Sequence, residues 1–108
     1  MTIGKIDFNF LSKPGREKET VHQWIYEYLQ QNIDPKKMEI AVDETAAYVY
    51  TIDGSISWGD EYLSYDIIKQ GKVIKKEIEL EGFNSKSPKQ VAKAIAESII
   101  EEINEIEN

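Results

Sequence analysis

The segment from Ser87 to Asn108 constrains the fold more than any other. Ser87, followed by Pro88 and by Gln90 at the third position after it, carries the start signature of a helix: serine and glutamine satisfy each other's orphan backbone donors, and proline occupies the first turn without loss. Val91, Ile95, Ile99, Ile103 and Ile106 then recur at helical spacing beside Ala92, Ala96 and Ile100, while Lys93, Glu97, Glu101 and Glu105 take the other side. Such a stripe has to be covered. Each isoleucine withdrawn from water contributes about 1.5–3 kcal/mol before conformational entropy is set against it.

The upstream sequence supplies the covering layer. Ile6, Phe8 and Phe10 alternate with Lys5, Asp7 and Asn9; Met38, Ile40 and Val42 alternate with Glu39, Ala41 and Asp43; Tyr48, Tyr50 and Ile52 alternate with Ala47, Val49 and Thr51. That period of two marks strands with one apolar face. Between the first and second runs, Val21, Trp24, Ile25, Tyr28 and Leu29 line one face of a helix predicted over 16–32. Ser12 and Thr20 are alternative caps for it, and Asp34 before Pro35 stops it.

Asp53-Gly54 predicts a tight hairpin turn between the run ending at Ile52 and a short run from Ile56 to Trp58, because that dipeptide tolerates positive φ. Tyr62 to Lys69 reads as a further strand, and Gln70-Gly71 as a turn into a strand from Val73 to Glu81. There Ile74, Ile78 and Leu80 share a face with Lys76, while Val73, Lys75, Glu77 and Glu79 face water. Glu101, Glu102, Glu105 and Glu107 oppose the macrodipole at the end of the last helix, which predicts fraying unless a partner supplies cations. These elements predict an α+β two-layer sandwich, a single domain over 1–108. It is a mostly antiparallel β-meander of four to five strands with two helices packed on one face. The pattern does not place the first strand.

Charge is the main clue to partners. Between Met38 and Ile68 lie seven acids (Glu39, Asp43, Glu44, Asp53, Asp60, Glu61, Asp66) and no lysine or arginine, and the flanking segments are together neutral, so the net charge of −7 belongs to this stretch. It also holds Tyr48, Tyr50, Trp58, Tyr62 and Tyr65. A negative field repels nucleic acid and anionic membranes and attracts basic proteins. Direct phosphate-backbone binding needs clustered Lys and Arg, and the chain's single arginine is Arg16. Without cysteine, disulfides and thiolate chemistry are excluded. Residues 1–11 resemble neither a signal peptide nor a membrane span. A cytoplasmic protein is expected.

No catalytic motif emerges. His22 is the only histidine; Glu19 could orient it, but a partly exposed helix histidine is the simpler reading. Asp43-Glu44 and Asp60-Glu61 could hold a hard cation only if strand ends converge. Asp53 to Ser64 fails as a calcium loop, with Trp58 at the position that requires glycine and Ser64 where a bidentate glutamate belongs. No catalytic residue, metal or cofactor is therefore assigned.

Trp58, set among Gly59, Asp60, Glu61 and Tyr62, reads instead as an exposed contact residue of the kind enriched at interaction hot spots. The expected partner-binding set is Asp43, Glu44, Asp53, Trp58, Asp60, Glu61, Tyr62 and Asp66. The expected activity is that of a small acidic, non-enzymatic binding protein, an inhibitor or immunity-type protein that blocks a basic protein surface. In size and charge balance the chain resembles phage-encoded antagonists of host defence, including mimics of nucleic-acid charge, and toxin-neutralising proteins. The alternative is an oligomeric small-molecule or nucleotide binder using Lys72, Lys75, Lys76, Lys86, Ser87, Lys89 and Gln90 around a helix N-terminus. A structural or assembly subunit, a homo-oligomer, is the third class.

Overall fold

The computed structural model describes residues 2–11, 16–33, 39–40, 49–83 and 86–108. Its elements run β1 (Thr2–Phe10), α1 (Arg16–Asn32), β2 (Glu39–Ile40), β3 (Tyr50–Ser57), β4 (Tyr62–Lys69), β5 (Lys72–Glu79) and α2 (Pro88–Glu107). The fold is α+β: one five-stranded sheet, in the order β2-β1-β3-β4-β5, with both helices packed on one face. β3, β4 and β5 form the antiparallel meander. β1 lies inside the sheet, parallel to both β2 and β3. Met38, Val42, Asp43, Glu44 and Tyr48 lie outside the described residues.

One core joins the layers. Ile6, Phe8 and Phe10 from β1, Tyr50, Ile52 and Ile56 from β3, and Leu63, Tyr65 and Ile67 from β4 meet Val21, Ile25 and Leu29 of α1 and the stripe Val91, Ile95, Ile99 and Ile103 of α2. β1, β3 and β4 therefore turn their alternate apolar residues to the helices, as their period of two requires. Ser87 caps α2 as its sequence predicts: its hydroxyl accepts from the Gln90 amide while the Gln90 side chain accepts from the Ser87 amide.

The Asp53-Gly54 hairpin does not form. β3 runs unbroken from Tyr50 to Ser57, and the connection to β4 is the turn Trp58 to Glu61, with Glu61 at φ 57°. Glycine is needed at position 54 for a different reason. Phe8, its neighbour across the sheet, lays its ring over Gly54, so that a Cβ there would stand 2.6 Å from Phe8 Cδ1 and 2.8 Å from the Ser64 carbonyl oxygen. A strand glycine marked a close approach rather than a turn. At Gln70-Gly71 the expected turn is present, with φ of 51° and 81°.

β5 departs from simple alternation. Its pairing with β4 slips between Tyr65 and Ile67 and again between Ile67 and Ile68, so that Ile78 opposes Tyr65, Lys75 opposes Ile67 and Val73 opposes Ile68. Each bulge inserts an extra residue and reverses the parity. Lys75 and Ile78 thus share the helix side, while Ile74 is left exposed, contrary to the regular alternation read from the sequence. The C-terminal glutamates are likewise not left to fray the helix: α2 continues to Glu107. Lys75 Nζ lies 2.6 Å from Glu102 and 3.2 Å from Glu105, Lys69 pairs with Glu107, and the Tyr50 hydroxyl donates to Glu107. The required cations come from the sheet of the same chain.

Candidate open acidic sheet face

The side of the sheet away from the helices is uncovered among the described residues, and strand register decides what it displays. Asp7 of β1 is paired with Asp53 of β3, which is paired with Asp66 of β4. Three aspartates thus stand in one row across three strands. The next row is Asn9, Ser55, Ser64 and Glu79, and beyond it Ser57 pairs with Tyr62. Like charges directly opposite one another destabilise a sheet, so this row carries a stability cost that the helix side avoids. Among the described residues the ion pairs belong to Lys69 and Lys75, and both point to α2.

Asp66 is held in place by the sheet itself. Its Oδ1 accepts a hydrogen bond of 2.8 Å from the Glu77 amide at the β5 bulge, where Glu77 adopts a φ of 53°. Along β3 and β4 the surface dips into a trough of about 330 Å3. Ser55 and Ser64 lie along it, Leu11 and Tyr62 flank one end, and Asp53 and Asp66 close the other. Leu11 is set there by its amide, which donates to the Ile56 carbonyl at 2.9 Å. Leu11 and Tyr62 are 58% and 41% exposed and give this end of the trough its apolar surface, while at the far end of the face Ile68 is paired with Val73, itself 46% exposed.

Of the residues expected to form the patch, the structure brings Asp53, Tyr62 and Asp66 onto this face, with Asp60 and Glu61 in the turn at its edge. The Asp60 carboxylate accepts from the Ser57 hydroxyl at 3.0 Å and so also shapes that turn. Trp58 is less exposed than its neighbours suggested. Its ring is half-buried, stacked on Phe10 at 6.3 Å between centroids and edge-on to Phe83 at 6.0 Å, and its Nε1 is buried without a hydrogen-bond partner among the described residues. The apolar pull of two phenylalanines outweighs the polar sequence context. Asp43 and Glu44 lie outside the described residues.

The lysines considered for an anion site are dispersed. Lys86, Ser87, Lys89 and Gln90 stand at the start of α2, with the Ser87 and Gln90 side chains committed to the cap. Lys75 is paired with Glu102 and Glu105, about 20 Å further along the helix at 1.5 Å per residue. Lys72 and Lys76 are exposed on β5. Among the described residues no group of three or more acidic or histidine side chains is arranged to hold a metal ion.

His22 has a structural partner. Its Nε2 accepts from the Phe8 amide at 3.1 Å, and one turn along α1 the Tyr26 hydroxyl accepts from the Ile6 amide at 3.2 Å. Burial lowers the His22 pKa, with Lys18 acting in the same direction and Asp7 opposing them.

Sequence reasoning missed Asp7, Leu11, Ser55 and Ser64. The alternation of Asp7 with Ile6 and Phe8 marks it as outward-facing, but only the parallel register of β1 against β3 aligns it with Asp53. No helix among the described residues is long and apolar enough to cross a membrane. Comparison with protein-family models, with curated proteins and with solved structures finds no match to this chain.

Proposed function

We propose that this chain is a small acidic binding protein, of the inhibitor or immunity type, whose open sheet face covers a basic surface on a protein partner. The observation that carries the reading is the row Asp7, Asp53 and Asp66 on a face left uncovered by the described residues. Like charges directly opposite one another destabilise a sheet, and a cationic partner supplies the compensation. The mechanism is occlusion. Carboxylates steer the encounter and pair with Lys or Arg, while Leu11 and Tyr62 contribute buried apolar area. Where the covered surface normally binds nucleic acid, the aspartate row stands in for phosphate charge. The reading uses no bond-making step and no cofactor.

The test is a titration of the isotope-labelled chain with a lysine- and arginine-rich peptide, and with a glutamate-rich peptide as control, followed by amide chemical shifts. Shifts caused by the basic peptide should centre on residues 51–57 and 62–68. They should weaken between about 0.1 M and about 1 M salt, as the Debye length falls from about 10 Å to about 3 Å. Shifts centred on α1 or α2, shifts indifferent to salt, or no response to the basic peptide would overturn the proposal.

A further inference from the structure

We infer that the trough between β3 and β4 seats a single arginine side chain of the basic partner, an inference that rests on the reading of this face as the partner surface. Its volume, about 330 Å3, lies at the lower end of the roughly 300–1,000 Å3 that small-molecule sites occupy. The trough therefore suits one side chain better than a nucleotide or a folded element.

The distribution of chemistry along it matches an arginine laid lengthwise. Register places Ser57 and Tyr62, then Ser55 and Ser64, then Asp53 and Asp66 in successive rows, spaced about 6.6 Å apart along the strands. The short side chains of Ser55 and Ser64 leave the middle open. Leu11 and Tyr62 offer apolar surface to an aliphatic stem, and the paired carboxylates take the cationic head.

Arginine fits this arrangement better than lysine for three reasons. Two carboxylates on directly paired residues call for a head that donates in several directions at once, and the guanidinium carries five donors in a rigid plane against the single point charge of an ammonium. Asp66 is already oriented by the Glu77 amide on its Oδ1, so the remaining oxygen meets a planar donor without a further ordering cost. The weaker hydration of guanidinium lowers the cost of bringing it onto the sheet.

The experiment compares hexa-arginine with hexa-lysine, which have equal charge, on the wild-type chain, on Ser64→Leu, which fills the trough without altering charge, and on the double variant Asp53→Asn, Asp66→Asn. Ser55→Leu repeats the filling from the other strand in case one variant folds poorly. Hexa-arginine should bind the wild-type chain at least about ten-fold more tightly, and filling the trough should remove that preference while leaving both peptides a common weaker affinity. Equal affinities for the wild-type chain, or a preference that survives in both filled variants, would overturn the arginine seat. In that event, loss of both peptides in the double asparagine variant leaves the broader reading of the face standing, whereas unchanged binding removes both.

Discussion

His22 and Tyr26 stand one helical turn apart on α1 and meet amides two residues apart on β1, Phe8 and Ile6. Among the described residues β2 pairs with β1 only at Thr2 and Ile3, so these donors lie beyond the described ladder and find side-chain acceptors on α1 instead. To accept from Phe8, Nε2 must be unprotonated, and the ring is therefore neutral with its proton on Nδ1. Burial depresses the folded pKa below the ordinary value of 6.5, so the unfolded chain takes up a proton first as pH falls. Stability from this group is thus complete above 6.5 and is lost as pH drops through that value toward the depressed one. Thermal midpoints measured between about pH 8 and about pH 5 should fall. In His22→Gln, whose amide oxygen can accept from Phe8 and does not titrate, the fall should be shallower; equal slopes would assign it to other groups. Sequence alone placed His22 on a helix beside the apolar face and preferred a partly exposed histidine to a pairing with Glu19; the β1 amide it meets could not be read, because the edge of β1 is defined only once the strands are ordered.

At the scale of elements, the legible parts were those whose determinants are local. The Ser87, Pro88 and Gln90 cap, the Gln70-Gly71 turn and the two helical stripes each depend on residues within one or two turns of one another, and each forms where the sequence put it. Asp53-Gly54 misled because a glycine marks either a turn or a crowded strand, and the Phe8 ring that crowds it comes from a distant part of the chain. The β5 bulges were invisible for a related reason: parity there is set by what Tyr65 and Ile67 oppose, not by the alternation of β5 itself. If crowding is the correct account of Gly54, Gly54→Ala should destabilise the fold by about 1–3 kcal/mol, the usual cost of overpacking a core. A glycine serving a turn at positive φ would also be harmed by alanine. The discriminating variant therefore adds Phe8→Leu, which removes the ring above the new methyl. Chemical denaturation should show the alanine penalty shrinking in the Phe8→Leu background, a non-additivity expected only of residues in contact.

Across the whole molecule, charge is treated oppositely on the two faces of one sheet. On the helix side Glu102, Glu105 and Glu107 are answered by Lys75, Lys69 and the Tyr50 hydroxyl, whereas on the open side Asp7, Asp53 and Asp66 are aligned with no lysine in ion-pair range among the described residues. Four strands about 4.8 Å apart, each of about eight residues at about 3.3 Å, give that side roughly 500 Å2 in plan, short of the roughly 800 Å2 per partner of a standard interface. On the proposed reading a partner of that footprint also reaches the turn that carries Asp60 and Glu61, the acids that sequence composition had already singled out. The same imbalance sets a prediction in which stability and binding move in opposite directions. Asp53 is exposed and lies between two aspartates, so Asp53→Asn relieves repulsion on both sides and should stabilise the fold, by about 0.2–1 kcal/mol per like-charge pair. The gain should fade in high salt as screening removes the repulsion. Basic-peptide affinity should fall in the same variant. A residue retained for the fold would lose stability on neutralisation, and a merely solubilising charge would leave affinity unchanged, so denaturation midpoints and peptide titrations on one pair of samples separate the three roles.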